Sequence, residues 1–252
     1  MRGDPAEQRQ WLELRRSGET QDYHDAMSPP SPRADASADA ELLDVLDAEG
    51  RPTGERKPRA AVHRDGDWHR TVHVWVVRSD GHVLVQRRAA GKQVEPGKLD
   101  VSVGGHLVAG ELDVDVVREV EEELGLVHTF GSLTYLGTAA TDRSYGDYLD
   151  REFQDVYAVA DDTPLGQLSL RESEVDVVYE VPLEGAIELF RHGRYVAAGG
   201  YDSQRRVNNA LLLAEDLPSQ GACVLAAELE RVKAWLAGED PDGYAQRPIV
   251  AR

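Results

Sequence analysis

Three glutamates stand out by their spacing. Glu119, Glu122 and Glu123 lie within Arg118-Glu119-Val120-Glu121-Glu122-Glu123-Leu124-Gly125. On a helix turning about 100° per residue they share one narrow face, with neighbours roughly 5–6 Å apart. Carboxylates that close repel one another unless a cation sits among them, and an all-oxygen set suits Mg2+ or Mn2+ rather than zinc. Glu121 points elsewhere and reads as solvated. In so acidic a chain a plain solvent-facing helix would carry the same letters, so the residues in front of the helix decide. They are Gly104-Gly105-His106, then Glu111, then Arg118.

Together these residues resemble the signature of the Nudix hydrolases: Gly, five residues, Glu, seven residues, Arg-Glu, an aliphatic, any residue, Glu-Glu, any residue, Gly, an aliphatic. Gly105, Glu111, Arg118, Glu119, Val120, Glu122, Glu123, Gly125 and Leu126 fill it. One departure stands: six residues, Leu112 to Val117, separate Glu111 from Arg118. In the family that arginine commonly pairs with the first glutamate, so the departure bears on this contact. The missing residue falls in the entry turn and leaves the helix face intact. The resemblance implies an α/β fold, a Nudix-type α/β/α sandwich with a mixed β-sheet, here with extra C-terminal helices. It also implies hydrolysis of a diphosphate bond in a small organic or nucleoside diphosphate. Glu111, Arg118, Glu119, Glu122 and Glu123 would be the catalytic set, with Mg2+ (or Mn2+) on the last three.

The likeness extends over about residues 41–200. Pro58-Arg59, Val62-His63-Arg64-Asp65-Gly66, His69-Arg70-Thr71-Val72-His73-Val74-Trp75, Gln86-Arg87-Arg88 and Glu152-Phe153-Gln154-Asp155-Val156-Tyr157 are similar to the Nudix branch related to type I isopentenyl-diphosphate isomerases. That likeness implies a candidate second metal site: His63, His69 and His106 match histidine ligands, Glu152 matches a carboxylate, and Asp150 is a shorter substitute for another. Nitrogen with carboxylate oxygen suits Mn2+ or Zn2+, although such histidines also serve as partners of loop backbone. Arg59, Arg88 and Lys92 match diphosphate contacts, joined by Gly105 in the substrate-binding set, with Arg87 a weaker candidate.

The isomerase alternative requires a cysteine that moves protons. The matching position here is Gly104, and the only cysteine, Cys223, is remote in sequence. Glycine cannot transfer a proton, and the glutamate set is whole, so hydrolysis is the expectation. A non-catalytic Nudix ligand-binding module would be favoured by a broken set. Glu174 stands where many Nudix proteins have a glutamate before a late strand, and reads either as a general base or as a strand-entry residue.

The elements that must position these groups follow from periodicity. Strands are expected over 42–46, 72–77, 82–87, 99–103, 133–137, 153–160 and 175–181. Helices are expected over 113–124, capped by Gly125, and over 184–191, 205–214 and 222–236. Residues 1–38, with Ser28-Pro29-Pro30-Ser31-Pro32, read as disordered, and Met27 offers an alternative start. A Nudix domain over 39–202, C-terminal helices over 203–238 and a tail over 239–252 complete the expected organisation.

Composition bounds the partners. The 252 residues include 46 acidic against 28 basic side chains, a formal net charge of -18. Such charge repels phosphate backbones and anionic lipid, which excludes nucleic-acid or membrane binding through bulk charge. A small-molecule diphosphate held by a local cluster of cations is the partner expected; no motif specifies an oligomer. One cysteine forms neither an internal disulfide nor a Cys-rich zinc site, which suits a reducing compartment. No apolar run approaches the ~20 residues of a membrane span, and the N-terminus lacks an apolar signal core. A cytoplasmic location is expected.

Overall fold

Along one strand Val72, Val74 and Val76 alternate with His73, Trp75 and Val77, and both sets are buried. A strand with two buried faces belongs inside a three-layer fold. The structure, a computed structural model, describes residues 38–239 and Ile249. The expectations for the N-terminal segment, for Met27 and for most of the tail lie outside the described residues.

The described elements are β1 (Leu42–Leu46), β2 (Pro52–Pro58), α1 (Arg59–Asp65), β3 (Trp68–Val77), β4 (His82–Arg88), β5 (Leu99–Asp100), β6 (Val103–His106), α2 (Val116–Leu124), β7 (Thr134–Tyr145), β8 (Tyr148–Ala160), β9 (Val175–Pro182), α3 (Leu183–His192), β10 (Val196–Asp202), β11 (Ala210–Leu212) and α4 (Ala222–Leu236). The main sheet path is β11-β10-β9-β4-β3-β1-β2, with β6 and β8 also paired to β3, β5 to β4 and β7 to β8. The sheet is mixed: β8 runs parallel to β3 from Trp68↔Arg151 to Val77↔Ala160, whereas β6 pairs antiparallel with β3 from Thr71↔His106 to Val74↔Val103.

On one face α2 buries Val116, Val120 and Leu124 against Val72, Val74, Val76 and Val103. On the other, α3 and α4 bury Ile187, Phe190, Leu225 and Leu229 against Trp75, Val83, Val85 and Tyr179. The result is an α/β/α sandwich. No helix among the described residues is long and apolar enough to cross a membrane.

Several elements differ from their sequence reading, each for a local reason. Residues 205–214 are not a helix. Asp202 accepts the backbone N–H groups of Gln204 and Arg206, and Arg205 takes φ +60°, so the chain turns back. Ala210–Leu212 then pairs with β10 as β11, with Leu212 in the core. Over residues 203–238 the chain therefore forms one α-helix, α4. The helix expected from 113 begins with a 3-10 turn over Asp113–Asp115 and becomes α-helical at Val116. The expected strand over 99–103 is split into β5 and β6, because Ser102 turns inward, donating its hydroxyl to the Leu84 carbonyl and accepting the Val76 N–H. Strand β2 escaped detection because no residue along it is buried.

The exit of α2 is pinned as firmly as its entry. Gly125 at φ +69° donates its N–H to the Glu121 carbonyl at 2.8 Å, and the Leu124 and Glu123 carbonyls accept from Ser169 N at 3.0 Å and Arg171 N at 3.1 Å. A Cβ on Gly125 would lie 2.7 Å from Ser169 Cβ. Gly125→Ala is therefore expected to lower the unfolding free energy by at least about 1 kcal/mol, from φ strain plus the contact. Urea denaturation measures it; an unchanged midpoint would mean that the 165–171 loop does not press on α2.

Candidate active site

The site forms where β6 runs into the loop before α2. The backbone of Gly105 lies so close to the Glu119 carboxylate that a Cβ there would sit 2.3 Å from its Cδ. Only glycine lets strand and helix approach so closely. Glu111 closes the loop by accepting the Val108 N–H at 2.7 Å. Arg118 donates Nε–H and Nη2–H to the two oxygens of Glu111, each at 2.9 Å, a bidentate fork. The same guanidinium reaches Glu119 at 2.9 Å and Glu122 at 3.2 Å.

The short spacing between Glu111 and Arg118 thus leaves their pair complete. Three residues in a 3-10 turn rise about 2.0 Å each and cover the axial distance of four α-helical residues at about 1.5 Å. Arg70 of β3 anchors that turn through Asp113 at 2.6 Å.

Glu119 and Glu123 are buried, while Glu122 is exposed and paired with Arg171 at 2.8 Å. Glu123 accepts Gln86 Nε2–H at 3.3 Å and the Gly104 N–H at 3.4 Å. The three glutamates do not converge on one point. Among the described residues, the groups with ligand atoms within 4.8 Å of one another are His63–His69–His106 and His69–Asp150–Glu152.

This second cluster unites every residue of the candidate second metal set. His63 donates Nδ1–H to the Leu149 carbonyl at 3.2 Å, and His69 donates Nδ1–H to the Asp67 carbonyl at 3.2 Å. Each Nε2 therefore presents a lone pair inward. His63 Nε2 accepts from His106 Nε2–H at 3.3 Å, and His69 Nε2 is buried with no hydrogen-bond partner. Burial, and next the neighbouring His69, push His63 down to about 3. Burial likewise lowers His69 and His106. His63 and His69, neutral and with inward lone pairs, are in the form that binds a cation, and neutral His106 joins them when its Nε2 proton moves to Nδ1, so the donor set fits one.

The cationic candidates divide. Arg88 is held by Asp100 at 2.7 Å and by the Val94 carbonyl at 3.2 Å, within electrostatic reach of Glu123 and Glu174. Lys92 is ion-paired to Glu174 and acts on both Glu123 and His106, so the two clusters border one site. Arg59 is bonded to Tyr148, whose ring stacks on His63 at 4.2 Å. Arg87 turns away to Asp216 at 3.2 Å and over the Tyr179 ring. Glu174 joins the site through Lys92.

Arg143 was not legible as a site residue. It pairs with Asp150 and Glu152 because it lies opposite Asp150 in the β7–β8 register. The 133–137 and 153–160 readings stop short of that polar hairpin end. Arg171 lies in no motif, and Gln86, within Gln86-Arg87-Arg88, carries no site role of its own in the sequence reading.

Electrostatics yield a test. Burial foremost, with Glu122 and Glu111 added and only partly relieved by Arg118, raises Glu119 from 4.5 to about 7. Burial and then Glu119 raise Glu123. A carboxyl whose folded pKa exceeds its unfolded value binds its proton more tightly in the native state. Its ionisation therefore costs stability as pH rises from 4.5 through about 7. Glu119→Gln has no such cost. Without divalent metal the variant is expected to be more stable than the native chain by roughly 2–3 kcal/mol at about pH 8, and equal to it near pH 4. Denaturation in chelator at both pH values measures this; a pH-independent offset would remove Glu119 ionisation as its cause.

Comparison with known proteins agrees with this geometry. The family model for the NUDIX domain matches residues 67–197, just over half of the chain. Nudix hydrolase 3 of Arabidopsis thaliana is 40% identical over 152 residues, covering 57% of this chain and 19% of that protein. An uncharacterized Nudix hydrolase of Clostridium acetobutylicum is 35% identical over 147 residues, covering 57% of this chain and 71% of that one. The isopentenyl-diphosphate Delta-isomerase of Streptomyces griseus is 34% identical over 94 residues, 37% of this chain and 48% of the isomerase. Among solved structures, DR0079 of Deinococcus radiodurans aligns with a TM-score of 0.47 at 23% identity, over 61% of this chain and 91% of that one. The chain thus spans a fifth of the plant relative and about seven tenths of the clostridial one. With the signature residues gathered around Arg118, and a family model matching more than half its length, the chain belongs to the Nudix hydrolase family.

Proposed function

We propose that the chain hydrolyses a diphosphate bond in a small organic or nucleoside diphosphate, with Mg2+ or Mn2+ as cofactor. The observation that carries this reading is the pair of buried, pKa-raised carboxylates Glu119 and Glu123 packed against Gly104-Gly105. Two such acids mark a site short of positive charge, and their oxygens suit a hard divalent ion. When bound, that ion supplies charge to a phosphoryl oxygen and makes water more acidic. The chain does the rest. Arg118 holds Glu111, Glu119 and Glu122 together, and Gly105 keeps the glutamate face free of side chains. Arg59, Arg88 and Lys92 offer charge to the diphosphate. Glu174, held by Lys92, is the candidate to receive a proton.

The histidine–carboxylate cluster supports a second cation site and is what favours the isomerase alternative. Position 104 opposes that alternative. A Cβ there would meet Val101 at 3.2 Å and the His73 ring at 3.6 Å, and glycine offers no group to move a proton. Hydrolysis is therefore the conclusion.

A release assay over diphosphate esters that includes isopentenyl diphosphate, with and without Mg2+ or Mn2+, tests it. Glu122→Gln and Glu123→Gln keep size and helix propensity and are expected to lower turnover by about 100-fold or more while leaving the fold intact. In labelled water the oxygen label is expected on a phosphorus-containing product. Near-normal turnover in both variants, label confined to the alcohol, or robust isomerisation would overturn the assignment.

Arg88 tests the clamp. Arg88→Ala is expected to cost about 1.5–3 kcal/mol, roughly ten- to a hundredfold in kcat/KM, whatever the organic group. Arg88→Lys should recover part of it, keeping charge but losing the fork. A loss confined to one organic group would place Arg88 in the specificity pocket instead.

A further inference from the structure

Glu228 is a carboxylate on α4 that is 0% exposed and points into the sheet. A buried carboxylate is costly unless its oxygens are met by donors. Here they are met by two residues of β3: His73 Nδ1, at 2.9 and 3.1 Å from the two oxygens, and Trp75 Nε1–H at 2.9 Å.

The connection continues past His73. Gln154 Nε2 lies 3.3 Å from His73 Nε2 and donates to Glu152 Oε2 at 2.7 Å. A carboxylate only accepts, so the His73 nitrogen facing Glu228 carries a proton. Burial opposes a charged ring, and Glu228 foremost, with Asp100 and Glu152, outweighs it, so the ring's pKa is raised. On the alkaline side of that pKa the remaining proton is on Nδ1, and Nε2 accepts from the Gln154 amide. Reversing the amide would set its carbonyl oxygen against the Glu152 carboxylate. The polarity of every bond from α4 to Glu152 is thus dictated by Glu228.

Glu152 Oε2 also pairs with Arg143, so that oxygen is occupied from two sides. Its Oε1 is left facing His69 Nε2 at 3.9 Å, the buried nitrogen with no hydrogen-bond partner.

We infer that Glu228 is a positioning residue: through His73 and Gln154 it holds Glu152 with Oε1 turned to His69, and so keeps the histidine–carboxylate cluster in its cation-binding form. This rests on the proposed cation site at that cluster. A carboxylate that only filled space beneath α4 would be replaced without consequence by glutamine. The amide, however, has one oxygen for two donors. With that oxygen taken by Trp75, its N–H faces His73 Nδ1, moves the ring proton to Nε2, and sets donor against donor at Gln154.

The test uses the full chain at a pH on the alkaline side of the His73 ring's own titration. Nitrogen-15 spectra of the His73 ring read its tautomer, expected to be Nδ1–H in the native protein and Nε2–H in Glu228→Gln. Titration with Co2+, followed by the contact-shifted imidazole N–H signals that histidine ligands alone produce, reads cation affinity at the cluster. Glu228→Gln is expected to weaken it about tenfold. Gln154→Leu breaks the same connection from the other end without touching α4 and should do likewise. The double variant should be no weaker than Gln154→Leu alone, because both act through one chain of bonds. Additive losses, or a native tautomer and native affinity in Glu228→Gln, would overturn the inference while leaving the cation site standing. Native protein without contact-shifted imidazoles would remove the site and the inference together.

Discussion

Arg118 is the positive charge that joins the entry loop to the α2 face. Its guanidinium is within 3.2 Å of Glu111, Glu119 and Glu122. Unit charges 4 Å apart interact by about 4 kcal/mol at an effective dielectric near 20, so carboxylates this dense would drive the loop and helix apart unneutralised. The fork to Glu111 also fixes where the loop ends, since Glu111 is tied to Val108 N. The pair in turn depends on the 3-10 entry turn, and that turn on Arg70, which bridges Asp113 and Asp155. The entry turn therefore joins the Arg70 pairs at the centre of the sheet to the Arg118 pairs at the glutamates.

The second cluster depends on backbone register instead. Parallel pairing sets His69 opposite Glu152, and the β7–β8 hairpin sets Arg143 opposite Asp150. Residues two apart on a strand face the same side, so Asp150, Glu152 and Gln154 are presented together by β8. Slipping that pairing by one residue would turn all three to the other face. Antiparallel pairing of β6 brings His106 opposite Thr71, two residues along β3 from His69. One central strand thus organises both clusters.

What the sequence made legible was what leaves a period or a motif. The apolar runs of β3 and β4, the apolar stripe of α2 and the glutamate face were readable because burial demands apolar residues there and ligand geometry demands fixed spacing. Strand β2 left no pattern because it has no buried side, and β11 was masked by an apolar run whose length suits helix and strand alike. The polar half of the β7–β8 hairpin was missed because its inward positions hold Thr141, Arg143, Asp150 and Glu152 rather than apolar residues. There the periodic signal gives way to site chemistry. Glu228 leaves a trace in the sequence: it is a charged residue within the stripe Leu225, Leu229 and Val232 that α4 turns to the core.

The cations around the site already have partners in the structure: Arg88 with Asp100, Lys92 with Glu174, Arg118 with Glu111, and Arg143 with Asp150 and Glu152. In a chain of net charge -18, a diphosphate arriving alone meets few uncommitted positive charges. To draw Arg88 or Lys92 to itself it must release Asp100 or Glu174, and a released half-buried carboxylate loses its partner without regaining full hydration. A divalent ion supplies the charge that the released carboxylate needs. Under the proposed function, the ion and the diphosphate therefore each lower the free energy of binding the other. Such coupling is reciprocal by linkage, so a site built of matched pairs favours taking up cation and anion together over either one alone.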